Sequence, residues 1–370
     1  MTNVSIGTVL IDTFFVTRGQ IACHRGENET MSKLTKILEE YKKLGISEQI
    51  DHDKFYLYSI ITHSTAVEGS TVTEIENRLL FDEGISPQRP IIDQLMNLDL
   101  KKAYEEAKVL TERHAEYSIE ILCHLSALTM KNTGKEYKTL TGNFNSSNGD
   151  LRLVNVTAGR GGKSYMSYQK VPKRLEDFCN WINSQRKSIN PNDIDKIYEL
   201  SFMAHYNLVY IHPWADGNGR MARLVMNMIQ MEFGVIPSVV NKDKRDKYIK
   251  SLALSQETDD LKPFMDFMMD HHYENLKKAI TEYLQSIEND TINIVNDTLN
   301  DTLNDTINIM PNENLVLNLI KDNSDITISD IVIKTGLSRP TINRIVLSLK
   351  NKGVLERCGA KKNGKWKILM

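Results

Sequence analysis

The sequence predicts a mainly α fold: a helical body interrupted by one small β-hairpin, then a separate C-terminal unit. Three observations lead there. Apolar residues recur with a helical period over most of the chain, a single stretch at 134–172 rich in Gly, Asn, Ser and Lys breaks that period, and charge is divided unevenly. The 370 residues suffice for two domains, and 41% hydrophobic with 25% charged content is ordinary for a soluble protein. The net charge of −2 conceals a C-terminal segment, 314–370, with 11 Lys and Arg against 4 Asp and Glu (+7), and a remainder with 35 against 44 (−9). A basic tail on an acidic body predicts different partners for each.

The elements follow in order. Within an N-terminal segment 1–50, Thr30–Lys43 has a helical apolar period ending at Gly45, and Asp53–Val67 reads as a helix stopped by Glu68-Gly69. Thr73 and Glu76 form a capping box ahead of Leu79 and Leu80. Helical patterns continue through Ile91–Lys108 and Ser118–Met130. In the interruption, Asn148-Gly149 marks a turn, Leu151–Val156 alternates as a strand, Ser164–Tyr168 is its expected partner, and Gly159–Lys163 is the hairpin turn. Helices resume at Pro172–Asn183 and Asp193–Tyr210. The body is placed at 51–288 and a linker at 289–312. That linker holds the repeat NDTINIVNDTLNDTLNDTIN, which supports two readings. Asn, Asp and Thr favour a solvated connector, while Ile292, Val295, Leu299, Leu303 and Ile307 form a stripe able to zip against a partner helix.

Cys23, Cys123, Cys179 and Cys358 are dispersed, without a C-x-x-C pair, so neither a disulfide framework nor a zinc knuckle is expected. The apolar run Val4–Val16 contains Asp12 and is too short to span a bilayer. A cytoplasmic protein without membrane association is expected.

The chemistry concentrates in Ile211–Arg223, I-H-P-W-A-D-G-N-G-R-M-A-R. Pro213 forces a break after His212, Asp216 to Gly219 make a tight turn, and a helix runs from about Arg220 to Phe233, closed by Gly234. A turn opening a helix presents N–H groups and the positive end of the helix dipole, which suits phosphate. Gly217 and Gly219 let polyphosphate approach the backbone. Arg220 and Arg223, about one turn apart, can fork onto its oxygens. Asp216 is a hard oxygen ligand for Mg²⁺, and His212 can take a proton from an attacking hydroxyl.

These residues resemble the signature of the Fic family, H-x-F-x-D/E-G-N-G-R-x-x-R, with Trp214 in the place usually held by Phe. The resemblance covers roughly 50–285 and implies a Fic-type helical bundle that transfers AMP from Mg-ATP to a Tyr, Ser or Thr hydroxyl of a protein, the chain itself included. By resemblance His212 is the general base, Asp216 holds Mg²⁺, Gly217, Asn218 and Gly219 line the phosphate site, Arg220 binds the α- and β-phosphates, and Arg223 binds the terminal phosphate. The segment 134–172 corresponds to the family's flap, which pins a target strand. Tyr248 and Gln256 are the candidates for the adenosine pocket, and His205 is read as structural. The phosphorylating branch carries Lys where this chain has Gly219, which favours AMP as the transferred group.

Ser64 and Glu68, four apart at a helix end, share one face. In S-x-x-x-E-G they resemble the family's inhibitory helix, here at 53–69, which implies that Glu68 pairs with Arg223 and denies it to the terminal phosphate. A glutamate so placed also serves AMP removal in some members, so a de-AMPylating hydrolase stays open.

At the C-terminus, 313–370, Glu313–Asn323 and Ile328–Lys334 read as helices, Ser338 caps a third at Pro340–Lys352, and a basic loop joins two short strands. This order resembles a winged helix-turn-helix. Arg339, Thr341, Asn343 and Arg344 would stand at DNA, with Lys361 and Lys362 on the wing. A non-enzymatic ATP-sensing DNA-binding regulator is the second functional reading. The repeat stripe and the family's habit point to a homodimer.

Overall fold

The computed structural model describes residues 32–48, 52–158, 164–299, 311–358 and 365–369. The chain divides into two compact units, Met1–Ala279 and Ile280–Met370.

The first unit is helical. Helix α1 (Lys33–Lys43) starts on Ser32, whose Oγ accepts from the Thr35 N–H at 3.0 Å, and buries Leu34, Ile37, Leu38 and Tyr41. In α2 (His52–Val67) the C-terminal half is enclosed, with Ile60, Ile61, Ser64, Thr65, Ala66 and Val67 all buried. Helix α3 (Glu74–Asp82) opens on the expected capping box, Thr73 Oγ1 accepting from Glu76 N and the Glu76 carboxylate from Thr73 N. Then come α4 (Ile91–Glu112) and α5 (Ile119–Thr129) and, beyond the interruption, α6 (Val171–Ser188), α7 (Ile194–Ile211), α8 (Asn218–Glu232), α9 (Arg245–Thr258) and α10 (Lys262–Leu299), whose residues from Ile280 onward belong to the second unit. Helix α8 is the hub. It packs on α2, α4, α5 and α7, and Met221, Ala222, Val225, Met226 and Ile229 along it have no exposed surface. Burying Met, Val or Ile contributes about 2 kcal/mol per side chain, so the motif at its N-terminus rides on a rigid element.

The β-hairpin lies elsewhere than the sequence predicts. Strands β1 (Glu136–Thr139) and β2 (Gly142–Asn145) pair antiparallel through a two-residue loop, with Tyr137 opposite Phe144 and their rings stacked at 4.8 Å. Gly142 sits at φ +132°, which a side chain would resist. Leu151–Val156 is not a strand: the only β-bridge near it among the described residues is the isolated Thr157–Ser164 one, and single hydrogen bonds, not a ladder, join it to 164–168. The cause is Arg152, which turns its guanidinium inward onto carbonyls instead of leaving the backbone to form a ladder. The expected turn at Gly159–Lys163 lies outside the described residues.

The second unit contains α11 (Pro311–Asp322), α12 (Ile328–Thr335), α13 (Arg339–Asn351) and the antiparallel pair β3 (Leu355–Cys358) and β4 (Lys365–Ile368). Val316, Ile320, Ile331, Ile342, Leu349 and Trp366 are central to its core, and Trp366 Nε1 donates to Ile326 O at 2.9 Å. Ser338 caps α13 as predicted, its Oγ accepting from Thr341 N at 3.4 Å. Three helices followed by a β-hairpin make a winged helix. The repeat begins inside α10, which stays helical to Leu299; residues 300–310, with the rest of the stripe, lie outside the described residues. Among the described residues no helix is long and apolar enough to cross a membrane.

Candidate active site

His212 ends α7 in a left-handed conformation, φ +52°, with its N–H on Leu208 O at 3.0 Å. For a residue with a Cβ this costs about 1 kcal/mol, and two bonds hold it: Arg152 Nε donates to His212 O at 2.7 Å and Arg152 N to Pro213 O at 3.0 Å. The imidazole Nδ1 faces Val209 O at 3.4 Å, which leaves Nε2 for chemistry. Burial, with the Arg152 charge adding to it, pushes the His212 pKa down to about 4 despite the Val209 carbonyl and Glu68, so the ring is a neutral base at pH 7.

The turn after it locks itself. Asn218 Nδ2 donates to Trp214 O at 2.9 Å and its Oδ1 accepts from Trp214 N at 3.1 Å, while the buried Trp214 indole donates to Gly149 O at 3.1 Å. Trp214 is therefore an apolar anchor with a satisfied N–H. Gly217, φ +82°, has no room for a Cβ, which would meet Met130 Sδ at 2.8 Å. Asp216 Oδ1 accepts from Gly217 N at 2.6 Å, and 59% of its side chain is exposed.

Two arginines follow on α8. Arg220 is buried with thin partnership: Nη1 reaches Thr129 O at 3.4 Å, Nη2 reaches Met130 Sδ at 3.0 Å, Asp216 stands at 3.7 Å, and Nε has no partner. Arg223 is saturated. Its Nε donates to Ser64 Oγ at 2.8 Å, Nη2 to Ser64 O at 3.0 Å and to Glu68 Oε1 at 2.6 Å, and Nη1 to Tyr248 OH at 3.4 Å. Tyr248 in turn bonds His205 Nε2 at 2.8 Å. Burial alone would raise the Glu68 carboxyl, but the Arg223 charge and hydrogen bond, with Arg220 and Arg245 behind them, hold it below its usual range. Burial works against the Arg223 charge, and Glu68 more than offsets it. The pair is therefore ionised at neutral pH, with 35% of the Glu68 side chain open to solvent. A Cβ on Gly219 would lie 2.5 Å from Glu68 Oε1, so this carboxylate rests on the first turn of α8, where the helix dipole favours an anion.

The structure thus brings together His212, Asp216, Gly217, Asn218, Gly219, Arg220, Arg223, Ser64 and Glu68. It places Tyr248 in the Arg223 network with its ring buried, and Gln256 about two helical turns along α9, half-buried. Sequence reasoning missed Arg152 and Tyr165. Tyr165 lies flat on His212, ring centroids 3.7 Å apart and planes 14° apart. The signal for Arg152 was a lone arginine on the side of L-R-L-V-N-V shared with Val154 and Val156. In the second unit Arg339 Nη1 donates to Ser329 Oγ at 3.0 Å, Thr341 Oγ1 bonds Ser338 Oγ at 2.7 Å, Asn343 is exposed and Arg344 half-buried. Lys361 and Lys362 lie outside the described residues.

An ion-paired, glycine-containing turn at a helix N-terminus, behind a left-handed histidine in a helical bundle, is the arrangement of a Fic fold. Residues 116–230 match the Fic/DOC family and 312–356 the winged helix-turn-helix DNA-binding family; the chain carries one domain of each. It is 27% identical over 248 residues to protein adenylyltransferase fic-1 of Caenorhabditis elegans, covering 66% of this chain and 44% of that one. It is 29% identical over 215 residues to protein adenylyltransferase Fic of Drosophila grimshawi, covering 57% and 40%. The chain thus spans under half the length of these curated relatives. Two solved structures share the fold: a Fic domain containing signalling protein from Bacteroides thetaiotaomicron (TM-score 0.55, 21% identity, 67% of this chain and 96% of that one) and a Fic family protein from Desulfovibrio desulfuricans (TM-score 0.56, 19% identity, 91% and 93%).

Proposed function

We propose that this protein transfers AMP from ATP to a hydroxyl group of a protein, and that Glu68 restrains it. The observation that carries this is Glu68 Oε1 at 2.6 Å from Arg223, on the first turn of α8 beside a neutral His212. The target oxygen bonds the α-phosphorus as the bond to the β-bridging oxygen breaks. Pyrophosphate leaves, and the hydroxyl proton passes to His212 Nε2. Arg220, with its buried Nε unpartnered, is the cation available to the α- and β-phosphates. Among the described residues no three His, Cys, Asp or Glu groups cluster to hold a metal, and the exposed Asp216 fits an ion completed by phosphate oxygens, as Mg²⁺ usually is. Mg²⁺ there would neutralise charge on the departing pyrophosphate. While Glu68 holds Arg223, a terminal phosphate lacks its cation and meets a carboxylate instead.

The winged helix supports DNA as a second partner, α13 being the recognition helix and Asn343 its exposed polar residue. Loss of duplex binding in Arg339→Ala and Lys361→Ala variants is the expected outcome; unchanged binding in both would point this domain to a protein partner.

Intact mass after incubation with Mg-ATP tests the enzymatic reading. Glu68→Gly protein gains AMP and Glu68→Gly/His212→Ala does not. No transfer to itself or to proteins of a cell extract by Glu68→Gly protein contradicts it.

A further inference from the structure

Around His212 residues 151–158 and 164–168 make contacts that the transfer step leaves without a role. Arg152, 1% exposed, commits its guanidinium to backbone: Nε to His212 O and Nη1 to Val154 O, both at 2.7 Å, and Nη2 to Met166 O. Those three carbonyls belong to the catalytic turn and to both arms of the segment. The arms meet at the Thr157–Ser164 bridge, and Tyr165 N donates to Val156 O at 3.0 Å. The side chain held this way is Tyr165, face to face with the imidazole at 3.7 Å. The ring needs such a support. Its one in-plane hydrogen bond, to Val209 O, is long at 3.4 Å, and its backbone is left-handed.

We propose that Tyr165, held in register by Arg152, is the positioning residue for the base: it fixes the plane of the His212 imidazole and seals one face from water, leaving the Nε2 edge to the target hydroxyl. Stacking covers the face of a ring and not its edge, so the contact orients the base without occupying the reacting position. It also removes water, and burial is the largest influence holding His212 near pKa 4. The charged groups that bear on His212 are Arg152, which disfavours imidazolium, and Glu68, which favours it; each Tyr165 variant is compared with Tyr165 protein of the same background, so these two contributions are common to both. The Tyr165 hydroxyl plays no part in this, so phenylalanine should substitute for it.

The kinetic part of this proposal rests on the AMP-transfer reading; the imidazole part does not. With ¹⁵N-histidine-labelled full-length protein, the His212 ring is expected to titrate near pH 4 in wild type and Tyr165→Phe, and at least one unit higher in Tyr165→Ala. In the Glu68→Gly background, Tyr165→Ala should lower kcat for AMP transfer about tenfold, raise the acidic limb of the pH–rate profile and leave KM for ATP within about twofold, with Tyr165→Phe restoring both. A His212 titration unchanged in Tyr165→Ala, or a Tyr165→Phe protein that behaves like Tyr165→Ala, overturns the proposal. If Glu68→Gly protein transfers no AMP, the functional reading fails and the imidazole titration alone decides.

Discussion

Arg220 and Arg223 stand about one turn apart on α8, both 3% exposed, and their surroundings differ sharply. The Arg223 guanidinium meets a carboxylate at 2.6 Å, a serine hydroxyl, a carbonyl and a phenol, while Arg220 has a long contact to a carbonyl, a thioether, the exposed Asp216 carboxylate at 3.7 Å and a bare Nε. A buried cation without full hydrogen bonding is costly in the free protein. In the structure Arg223 is already occupied by protein groups, and Arg220 retains unused hydrogen-bonding capacity. Under the proposed function Arg220 is the cation left for phosphate, and Arg223 is the one neutralised by Glu68.

Substitutions can break this comparison at either arginine. The largest expected effect is on catalysis: Arg220→Ala in the Glu68→Gly background should cut AMP incorporation about a hundredfold, and retention of activity would mean that Arg220 is structural. On stability the order reverses. Arg223→Ala strands Glu68, Ser64 and Tyr248 and should cost about 3 kcal/mol, against about 1 kcal/mol for Arg220→Ala, in urea unfolding. Equal costs would remove the distinction. Acid sharpens it further. His212 and His271 have pKa values pushed down to about 4, and His272 to about 3, chiefly by burial. The folded state then binds fewer protons than the unfolded one between these values and about 6.5, so stability is full above pH 6.5 and falls as pH drops toward 4, by about 1–2 kcal/mol per imidazole at pH 5. Glu68, held low, keeps Arg223 paired through that window, so the melting temperature should fall between pH 7 and pH 5 while Glu68→Gly protein keeps its activity advantage. The smallest effect belongs to Tyr248→Phe, which cuts the link from His205 to Arg223 and should cost about 1 kcal/mol in the same unfolding measurement.

The turn at 216–219 is legible because its parts are contiguous: a proline-imposed break after His212, two glycines and two arginines within twelve residues leave little for tertiary structure to decide. Glu68 was legible for a different reason, its fixed offset from Ser64 at a helix end, although its partner lies 155 residues away. The strand at Leu151–Val156 was misread because alternation is a local signal and Arg152 answers to carbonyls 60 and 14 residues distant. The ring of Tyr165 on His212 has no local signature at all; a tyrosine in the expected strand 164–168 gives no hint of where its face will rest. The sequence offers Tyr248 for the adenosine pocket but not the partners of its hydroxyl, Arg223 and His205, because a fully buried phenol needs hydrogen bonds that spacing does not reveal.

The central claim is that the Glu68–Arg223 pair holds the enzyme back. The direct measurement is the rate of pyrophosphate release from Mg-ATP by wild-type and Glu68→Gly protein at equal ATP occupancy. Release at least about tenfold faster without the carboxylate is the expected result; equal rates would mean that the Glu68–Arg223 pair does not restrain transfer.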